Sequence, residues 1–264
     1  MEMSCSNCNQ SITAHFCANC GQKKYKRIDK KYIWDEIQYT FLHTNKGFLY
    51  SVKKIIQNPG KTAKEFIDGN RVNHYKPILL LFVLSGISAF ISFKVIGFGE
   101  ISANAFANEA VTKSFMTKYM SFASSYSTFL ILLSIPFYAF CTKIAFRKWG
   151  HNYYEHIIIN TYLMCFYTLL SLFVLYPLIY IFKSNEALIL QLSNFSIISL
   201  PVVFIWMCRN LYPEKTLKAI LFRMIAVIVL LIVTFLLIII LAILIGFLIA
   251  IANPEAFKHL IPKK

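Results

Sequence analysis

The chain has 264 residues, of which 57% are hydrophobic and only 15% are charged. Soluble domains contain about 45–50% apolar and about 25% charged residues, so this composition excludes a soluble enzyme, a disordered tail and a secreted disulfide scaffold. Several uninterrupted apolar runs approach or exceed the length of about 18 residues that indicates a membrane-spanning helix. The composition therefore predicts an all-α protein that crosses a membrane several times.

Lysine and arginine outnumber aspartate and glutamate by 27 to 12, which gives a net charge of +15. In a soluble protein such an excess favours nucleic-acid binding. Here the positive residues are concentrated outside the apolar runs, where they orient a membrane protein and attract anionic lipid headgroups. We therefore expect the lipid bilayer and its anionic lipids, rather than nucleic acid, to be the partner of these charges.

Four cysteines near the N-terminus form two Cys-x-x-Cys pairs, Cys5 with Cys8 and Cys17 with Cys20. Two such pairs supply the four thiolates of a tetrahedral zinc site. Because a complete ligand shell leaves no open position, we predict a structural Zn²⁺ ribbon over residues 1–24. Two disulfides, iron or an iron–sulfur cluster are the alternatives, and a reducing cytoplasm argues against the disulfides.

Residues 25–76 form a basic, amphipathic segment before the first apolar run. Apolar residues recur in it at helical spacing with lysines between them, and an Asn-Pro-Gly sequence at 58–60 breaks the pattern. A short helix over 61–68 should follow and end at Gly69, a left-handed cap. These helices either lie on the membrane surface with their lysines toward water or form a small soluble cap with its own core.

Three cations in this segment are candidate ligands for a lipid phosphate, namely Lys61, Lys64 and Arg71. The alternative is that they are ordinary cytoplasmic charge beside a span. Both interpretations place them at the membrane surface.

Five apolar runs follow, at about 77–98, 127–146, 157–182, 188–208 and 217–252. The last run exceeds one bilayer thickness, so its helix should tilt or protrude. No turn residue interrupts it before Gly246, which favours one helix over two. We therefore predict a transmembrane domain over 77–252 of about five helices, followed by a short tail over 253–264.

The distribution of lysine and arginine predicts the orientation of these spans. Residues 1–76 carry 13 of the 27 positive residues. The second and fourth connections carry further pairs, Arg147 with Lys148 and Arg209 with Lys215. This alternation predicts a multi-pass protein of the cytoplasmic membrane whose N-terminus lies in the cytoplasm. The lysines of the tail would then lie outside.

A polar cluster, His151, Glu155 and His156, leads into the third span. On a helix His151 and Glu155 share a face. The cluster has one residue more than the inverted zinc motif His-x-x-Glu-His, and no other Asp or Glu lies within a span, so a metallopeptidase is a poor fit. Anchoring at the membrane interface is favoured over a catalytic or proton-relay role.

The fourth span is unusually polar, and prolines interrupt three successive spans. Such features line substrate cavities in transporters with broken helices. They serve equally well in helix–helix packing, which is the simpler interpretation. The polar residues are Gln191, Ser193, Asn194, Ser196 and Ser199, and the prolines are Pro136, Pro177 and Pro201.

Several of these motifs together resemble an uncharacterised family of bacterial integral membrane proteins, a domain of unknown function. The resemblance covers most of the chain up to about residue 170. It implies a cytoplasmic-membrane protein whose ribbon faces the cytoplasm, and it implies no reaction. The motifs are the cysteine pairs ending in Cys17-Ala18-Asn19-Cys20-Gly21, Lys46-Gly47-Phe48, Asn58-Pro59-Gly60-Lys61, Gly69-x-Arg71, Tyr75, Pro77 and Glu155-His156.

The sequence thus favours a non-enzymatic membrane protein with no assigned catalytic residue. Its zinc ribbon and basic surface region would bind a cytoplasmic protein partner or organise the lipid surface. A small-molecule or lipid transporter that uses the polar, proline-kinked spans is the alternative. A third hypothesis is an intramembrane enzyme that uses Glu155 with His151 or His156.

Overall fold

The computed structural model of the protein describes residues 3–5, 8–20, 47–71, 73–105, 110–182 and 185–252. The chain divides into two compact units, Met1–Phe48 and Leu49–Lys264. In the first unit β1 (Met3–Ser4) pairs antiparallel with β2 (Ser11–Ile12), so that Met3 lies opposite Ile12. The predicted domain boundaries stay predictions, and the predicted segments over 21–46 and 253–264 lie outside the described residues.

Among the described residues, five helices are long and apolar enough to cross a membrane, which confirms the predicted all-helical membrane fold. A π-helical turn over Ile91–Ile96 continues the first span, and another over Ser171–Leu175 lies within the third. The helices are α1 (Gly47–Gln57), α2 (Pro59–Ile67), α3 (Pro77–Phe90), α4 (Phe98–Ala105), α5 (Ala110–Ala145), α6 (Tyr153–Leu170), α7 (Tyr176–Ile181), α8 (Glu186–Leu211) and α9 (Leu217–Ala252).

The helix ends differ from the predicted span ends for physical reasons. Helix α5 begins at Ala110, well before the predicted 127, because a helix continues past the point where its sequence stops being apolar. Helix α6 begins at Tyr153 because Asn152 caps it. The prediction of one long final helix is confirmed by α9, and Gly69 after α2 has the predicted left-handed backbone, with φ +108°.

Helix α6 lies at the centre of the second unit and packs against α2, α3, α5 and α8. Its core residues include Ile159, Tyr162 and Cys165, each almost fully buried. Helix α9 packs against α5 and α8, and Ile220 and Val227 in its first third are buried. Its most apolar stretch contains no buried residue, as expected for a helix whose neighbour is lipid.

Hydroxyl and amide groups join the spans to one another. The Asn160 amide donates to Thr142 Oγ1 at 2.9 Å, which joins α6 to α5. The hydroxyls of Ser88 and Tyr176 lie 2.8 Å apart and join α3 to α7. In a bilayer such interhelical bonds contribute to association, because lipid offers polar groups no alternative partner.

Candidate metal centre and juxtamembrane site

The sulfur atoms of the four N-terminal cysteines lie within 4.8 Å of one another. Cys5 Sγ is 3.6 Å from Cys20 Sγ, and Cys8 Sγ is 3.5 Å from Cys17 Sγ. Four sulfurs about 2.3 Å from a tetrahedral ion are separated by about 3.8 Å, whereas a disulfide bond measures about 2.0 Å. The cysteines therefore form a cluster of thiols that could bind a metal ion.

A tight turn after β1 positions the first pair of cysteines. The Cys5 N–H donates to the Gln10 carbonyl at 2.8 Å, and the Asn9 N–H donates to the Cys5 carbonyl at 2.9 Å. Asn9 has a left-handed backbone with φ +59°, a conformation that asparagine tolerates better than most residues. The turn thereby brings Cys8 back toward Cys5.

Backbone N–H groups aimed at the sulfurs favour thiolates, the form that binds metal. The N–H groups of Cys20 and Asn19 lower the pKa of Cys17. The Gln10 N–H also acts to lower the pKa of Cys8, but hydrogen bonding to Cys17 and burial outweigh it and raise that pKa to about 11. The thiol of Cys17 is thus easier to ionise than that of Cys8.

The cysteines also form the core of their own unit. Cys5, Ile12 and Cys17 are buried together, and Cys8 packs against them. A core this small contributes little hydrophobic stabilisation, so the bound ion would have to supply most of the folding free energy.

A second notable region is the contact between α2 and the end of α8. Asn58 caps α2 by accepting a hydrogen bond from the Lys61 N–H at 2.9 Å. The Asn58 amide also donates to Asn210 Oδ1 at 2.9 Å. Asn210 donates in turn to the Trp206 carbonyl at 2.8 Å. We call the contact made by Asn58, Gly60, Met207 and Asn210 the clasp.

Gly60 permits the close approach of α2 to α8 within the clasp. A Cβ atom at this position would lie 2.2 Å from the Met207 carbonyl oxygen, a distance that no side chain allows. Pro59, Thr62 and Ala63 are buried on the same helix. The buried face of α2 therefore packs on the helix bundle, through α6 and α8.

A buried histidine joins α1 and α2 to the start of the first span. His74 lies between the rings of Tyr50 and Phe66, with centroid distances of 5.3 and 6.2 Å, and its Nε2 is 3.7 Å from Glu65 Oε2. Burial lowers the pKa of His74, Glu65 opposes that shift, and Lys54 adds to it. No sequence motif singles out His74, although it lies between Arg71 and Tyr75, which carry the family resemblance.

The three predicted anion ligands lie on α2 or just beyond it. Lys61 is exposed and Lys64 is half-buried. The exposed Arg71 donates from Nε to the Phe66 carbonyl at 3.2 Å, and its guanidinium lies 5.6 Å from the centre of the Phe66 ring. Part of the hydrogen-bonding capacity of Arg71 is thus used within the protein, and anion binding by the three residues stays a prediction.

The members of the predicted polar cluster have separate roles. Glu155 forms a capping box with Asn152: its carboxylate accepts from the Asn152 N–H at 2.7 Å, and its N–H donates to the Asn152 side chain at 3.0 Å. His151 Nδ1 lies 2.9 Å from the Tyr212 hydroxyl. His156 is buried, with its ring 6.2 Å from that of His151. Helix capping by Glu155 and the contact of His151 with Tyr212 are structural roles. A catalytic role for the cluster stays untested.

Aromatic rings hold the turn after α5 against the end of α8. Phe146 stacks on Tyr212 at 5.8 Å, and Trp149 meets Tyr212 edge-on at 4.7 Å. His156 and Cys208 border a void beside these rings that has no room for a water molecule. Burial lowers the pKa of His151 and raises that of Tyr212.

The hydroxyl groups of the fourth span bond within the bundle. Ser196 pairs with the Tyr167 hydroxyl of α6, and Ser193 and Ser199 donate to carbonyls of their own helix. Gln191 and Asn194 are exposed on α8. This arrangement fits helix packing, and the transporter alternative stays a prediction.

Residues 45–89 match a family described as "Protein of unknown function (DUF3667)". No curated protein and no solved structure matches the chain. The matched stretch contains α1, α2 and nearly all of α3, and with them Asn58 and Gly60 of the clasp and the buried His74. Over these residues the chain is similar to the DUF3667 family, whose function is unknown.

Proposed function

We propose that the protein is a multi-pass anchor of the cytoplasmic membrane that holds a structural zinc ribbon and a basic surface in the cytoplasm. There they bind a protein partner or organise anionic lipid. The observation that carries the proposal is the convergence of four cysteine sulfurs within 4.8 Å. A site with four protein ligands stabilises a recognition module and leaves no position for a substrate.

Zinc is the ion that best fits this donor set. Four thiolates in two short pairs match the preference of Zn²⁺ for tetrahedral sulfur coordination. The N–H groups aimed at Cys17 stabilise the negative charge that such ligands carry. Iron also binds tetrathiolate sites, so metal analysis has to distinguish the two ions.

The positive charge supports the proposed orientation. Contacts between Asn58 and Asn210, and between His151 and Tyr212, place α2, the turn after α5 and the end of α8 at one end of the bundle. Positive residues near the ends of spans are retained in the cytoplasm. The described cations at this end include Lys53, Lys61, Arg71, Lys76, Arg147, Lys148, Arg209 and Lys215.

Metal analysis of the purified full-length protein tests the ribbon. We expect about one zinc ion per chain, and loss of it in the Cys5→Ser, Cys17→Ser double variant. Cys141→Ser is the matched control, because the Thr234 hydroxyl near Cys141 Sγ offers the new serine a partner. Metal-free wild-type protein, or iron in place of zinc, would contradict the proposal.

Labelling with a membrane-impermeant maleimide tests the orientation. Lys148→Cys places a thiol in the turn after α5, and Glu100→Cys places one in the first connection between spans; both positions are exposed. We expect Glu100→Cys to react in intact cells and Lys148→Cys to react only after permeabilisation. The reverse pattern would place the ribbon outside.

Cross-linking followed by affinity purification tests the recognition role. The full-length protein and the Cys5→Ser, Cys17→Ser variant are compared at equal membrane abundance. Proteins or lipids that depend on the ribbon should be recovered with the wild type and lost with the variant. Identical recovery from both would show that the ribbon is not the recognition module.

A further inference from the structure

A groove of about 570 Å³ opens on the side of the bundle where α3, α5 and α6 meet. Its apolar lining includes Ile78, Leu79 and Phe82 of α3, Leu132 of α5 and Ile158 of α6. Lys76 is the charged residue of the lining. Because three helices contribute, the groove is a recess between helices rather than one flat helix face, and its volume lies in the range of about 300–1,000 Å³ typical of ligand pockets.

The groove begins at the start of the first candidate span. The first candidate span starts at Pro77, directly after Lys76. Lys76 therefore lies at the level of the lipid headgroups, whereas the apolar lining lies at the level of the acyl chains. Ile78 and Phe82 are 53% and 42% exposed, so the groove is open from the bilayer.

The chain holds the backbone around Lys76 in place. On one side of Lys76, the Tyr75 N–H donates to the buried Ser51 Oγ at 2.7 Å. On the other side, the ring of the buried Pro77 fixes the φ angle of the proline itself. Lys76 occupies the N-cap position of α3, where its side chain makes no capping bond. The positive end of the helix dipole thus adds to the lysine charge beside the groove.

We propose that this groove binds an anionic phospholipid of the surrounding leaflet, with one acyl chain along Ile78, Leu79, Phe82, Leu132 and Ile158 and the phosphate beside Lys76. The charge at the mouth is complementary to an anionic headgroup, and the lining is complementary to a hydrocarbon chain. The site is distinct from Lys61, Lys64 and Arg71. The lipid site rests on the membrane placement proposed above and does not depend on the zinc ribbon. Absence of zinc would therefore contradict the ribbon alone, and absence of lipid binding would contradict the groove alone.

Native mass spectrometry of the full-length protein in detergent tests the site by titration with phosphatidylglycerol or with phosphatidylcholine of the same acyl chains. We expect phosphatidylglycerol to bind about fivefold more tightly, since one lysine near an anionic surface contributes about 1 kcal/mol. Lys76→Gln should abolish this preference. Lys118→Gln, an exposed lysine outside both the groove and the basic surface, should keep it.

The acyl part of the site is tested separately. Ile78→Trp fills the groove and should weaken both lipids, whereas Ile87→Trp, exposed on the same helix outside the groove, should not. Glycerol phosphate, which lacks acyl chains, should not compete; competition would indicate a simple phosphate site. Unchanged lipid preference in Lys76→Gln, equal loss in Lys118→Gln, or unchanged binding in Ile78→Trp would overturn the proposal.

Discussion

Asn58 donates its side-chain amide to Asn210 Oδ1 at 2.9 Å, across 152 positions of sequence. The oxygen of the same Asn58 side chain accepts from the Lys61 N–H and starts α2. One residue therefore both begins the helix and fixes it to the end of the fourth span. The clasp thus joins the stretch that matches the DUF3667 family to a span outside that match.

We expect Asn58→Ala to destabilise the protein more than Asn210→Ala. Asn58→Ala loses a helix cap, worth about 0.5–2 kcal/mol, together with the bond to Asn210. The double variant should show a coupling of about 0.5–1.5 kcal/mol, the net value of one hydrogen bond. Equilibrium unfolding in mixed micelles measures all three variants, and simple additivity would show that the bond contributes nothing.

Gly60→Ala should disrupt the clasp directly. The new methyl group would meet the Met207 carbonyl, which belongs to helix backbone and cannot rotate away. We expect a loss of about 1–3 kcal/mol in the free energy of unfolding. Gly86→Ala is the matched control, because nothing lies within 4 Å of the added carbon in the α3 helix; it should be neutral or stabilising by up to about 1 kcal/mol. Equal behaviour of the two variants would contradict the assigned role of Gly60.

Variants of Glu155 separate capping from catalysis. Glutamine also serves in a capping box, so Glu155→Gln should retain most of the stability and lose only part of the charge–dipole interaction, about 0.3–1 kcal/mol. Glu155→Ala should lose a further hydrogen bond, about 0.5–1.5 kcal/mol. Thermal unfolding in detergent provides the comparison. If Asn152→Ala, which removes the other half of the box, has no effect, capping is not the role of this pair.

The protein should become less stable as the pH falls below about 6.5, the ordinary pKa of histidine. Burial lowers the pKa of His74 in the folded state, so the unfolded chain binds its proton at a higher pH. The stability is full above about pH 6.5 and falls as the pH drops below it. His74→Phe keeps a ring between Tyr50 and Phe66 and should flatten this dependence in part, because His151 shifts in the same direction. An unchanged pH profile would show that His74 does not contribute.

Removal of the metal should affect the cysteine unit alone. The four clustered cysteines, from Cys5 to Cys20, all lie within the first compact unit. A strong chelator should therefore make these thiols reactive toward maleimide while the thermal unfolding of the spans stays unchanged. A matching drop in the stability of the spans would show that the bundle depends on the metal.

Local patterns in the sequence predicted the parts of the fold that depend on local chemistry. Apolar runs indicated the five spans, and Gly69 indicated the end of α2, because hydrophobicity and a left-handed cap are properties of short segments. The capping box was equally local, and Asn152 with Glu155 three residues later was sufficient to predict it. The sequence-based interpretation instead assigned Glu155 to a polar cluster with His151 and His156 and gave Asn152 no role.

Other features depend on contacts between distant segments. The need for glycine at position 60 arises from the Met207 carbonyl, and the donor role of Asn58 requires Asn210. A periodic pattern shows that α2 has a face to bury but does not identify what covers that face. The cysteine cluster was predictable because the spacing within each pair already restricts where the sulfurs can point.

The π-helical turn over Ser171–Leu175 also fixes which side of the third span each later residue occupies. Each residue of an α-helix rotates the chain by about 100° about the helix axis. The π-helical turn contains one residue more than a regular α-helical turn. Deleting a single residue there should swing Tyr176 away from Ser88 and reorient Ile179 and everything after it. A change in the length of this turn would therefore alter the direction in which every later side chain of the span faces, whereas a substitution within the turn alters one side chain only.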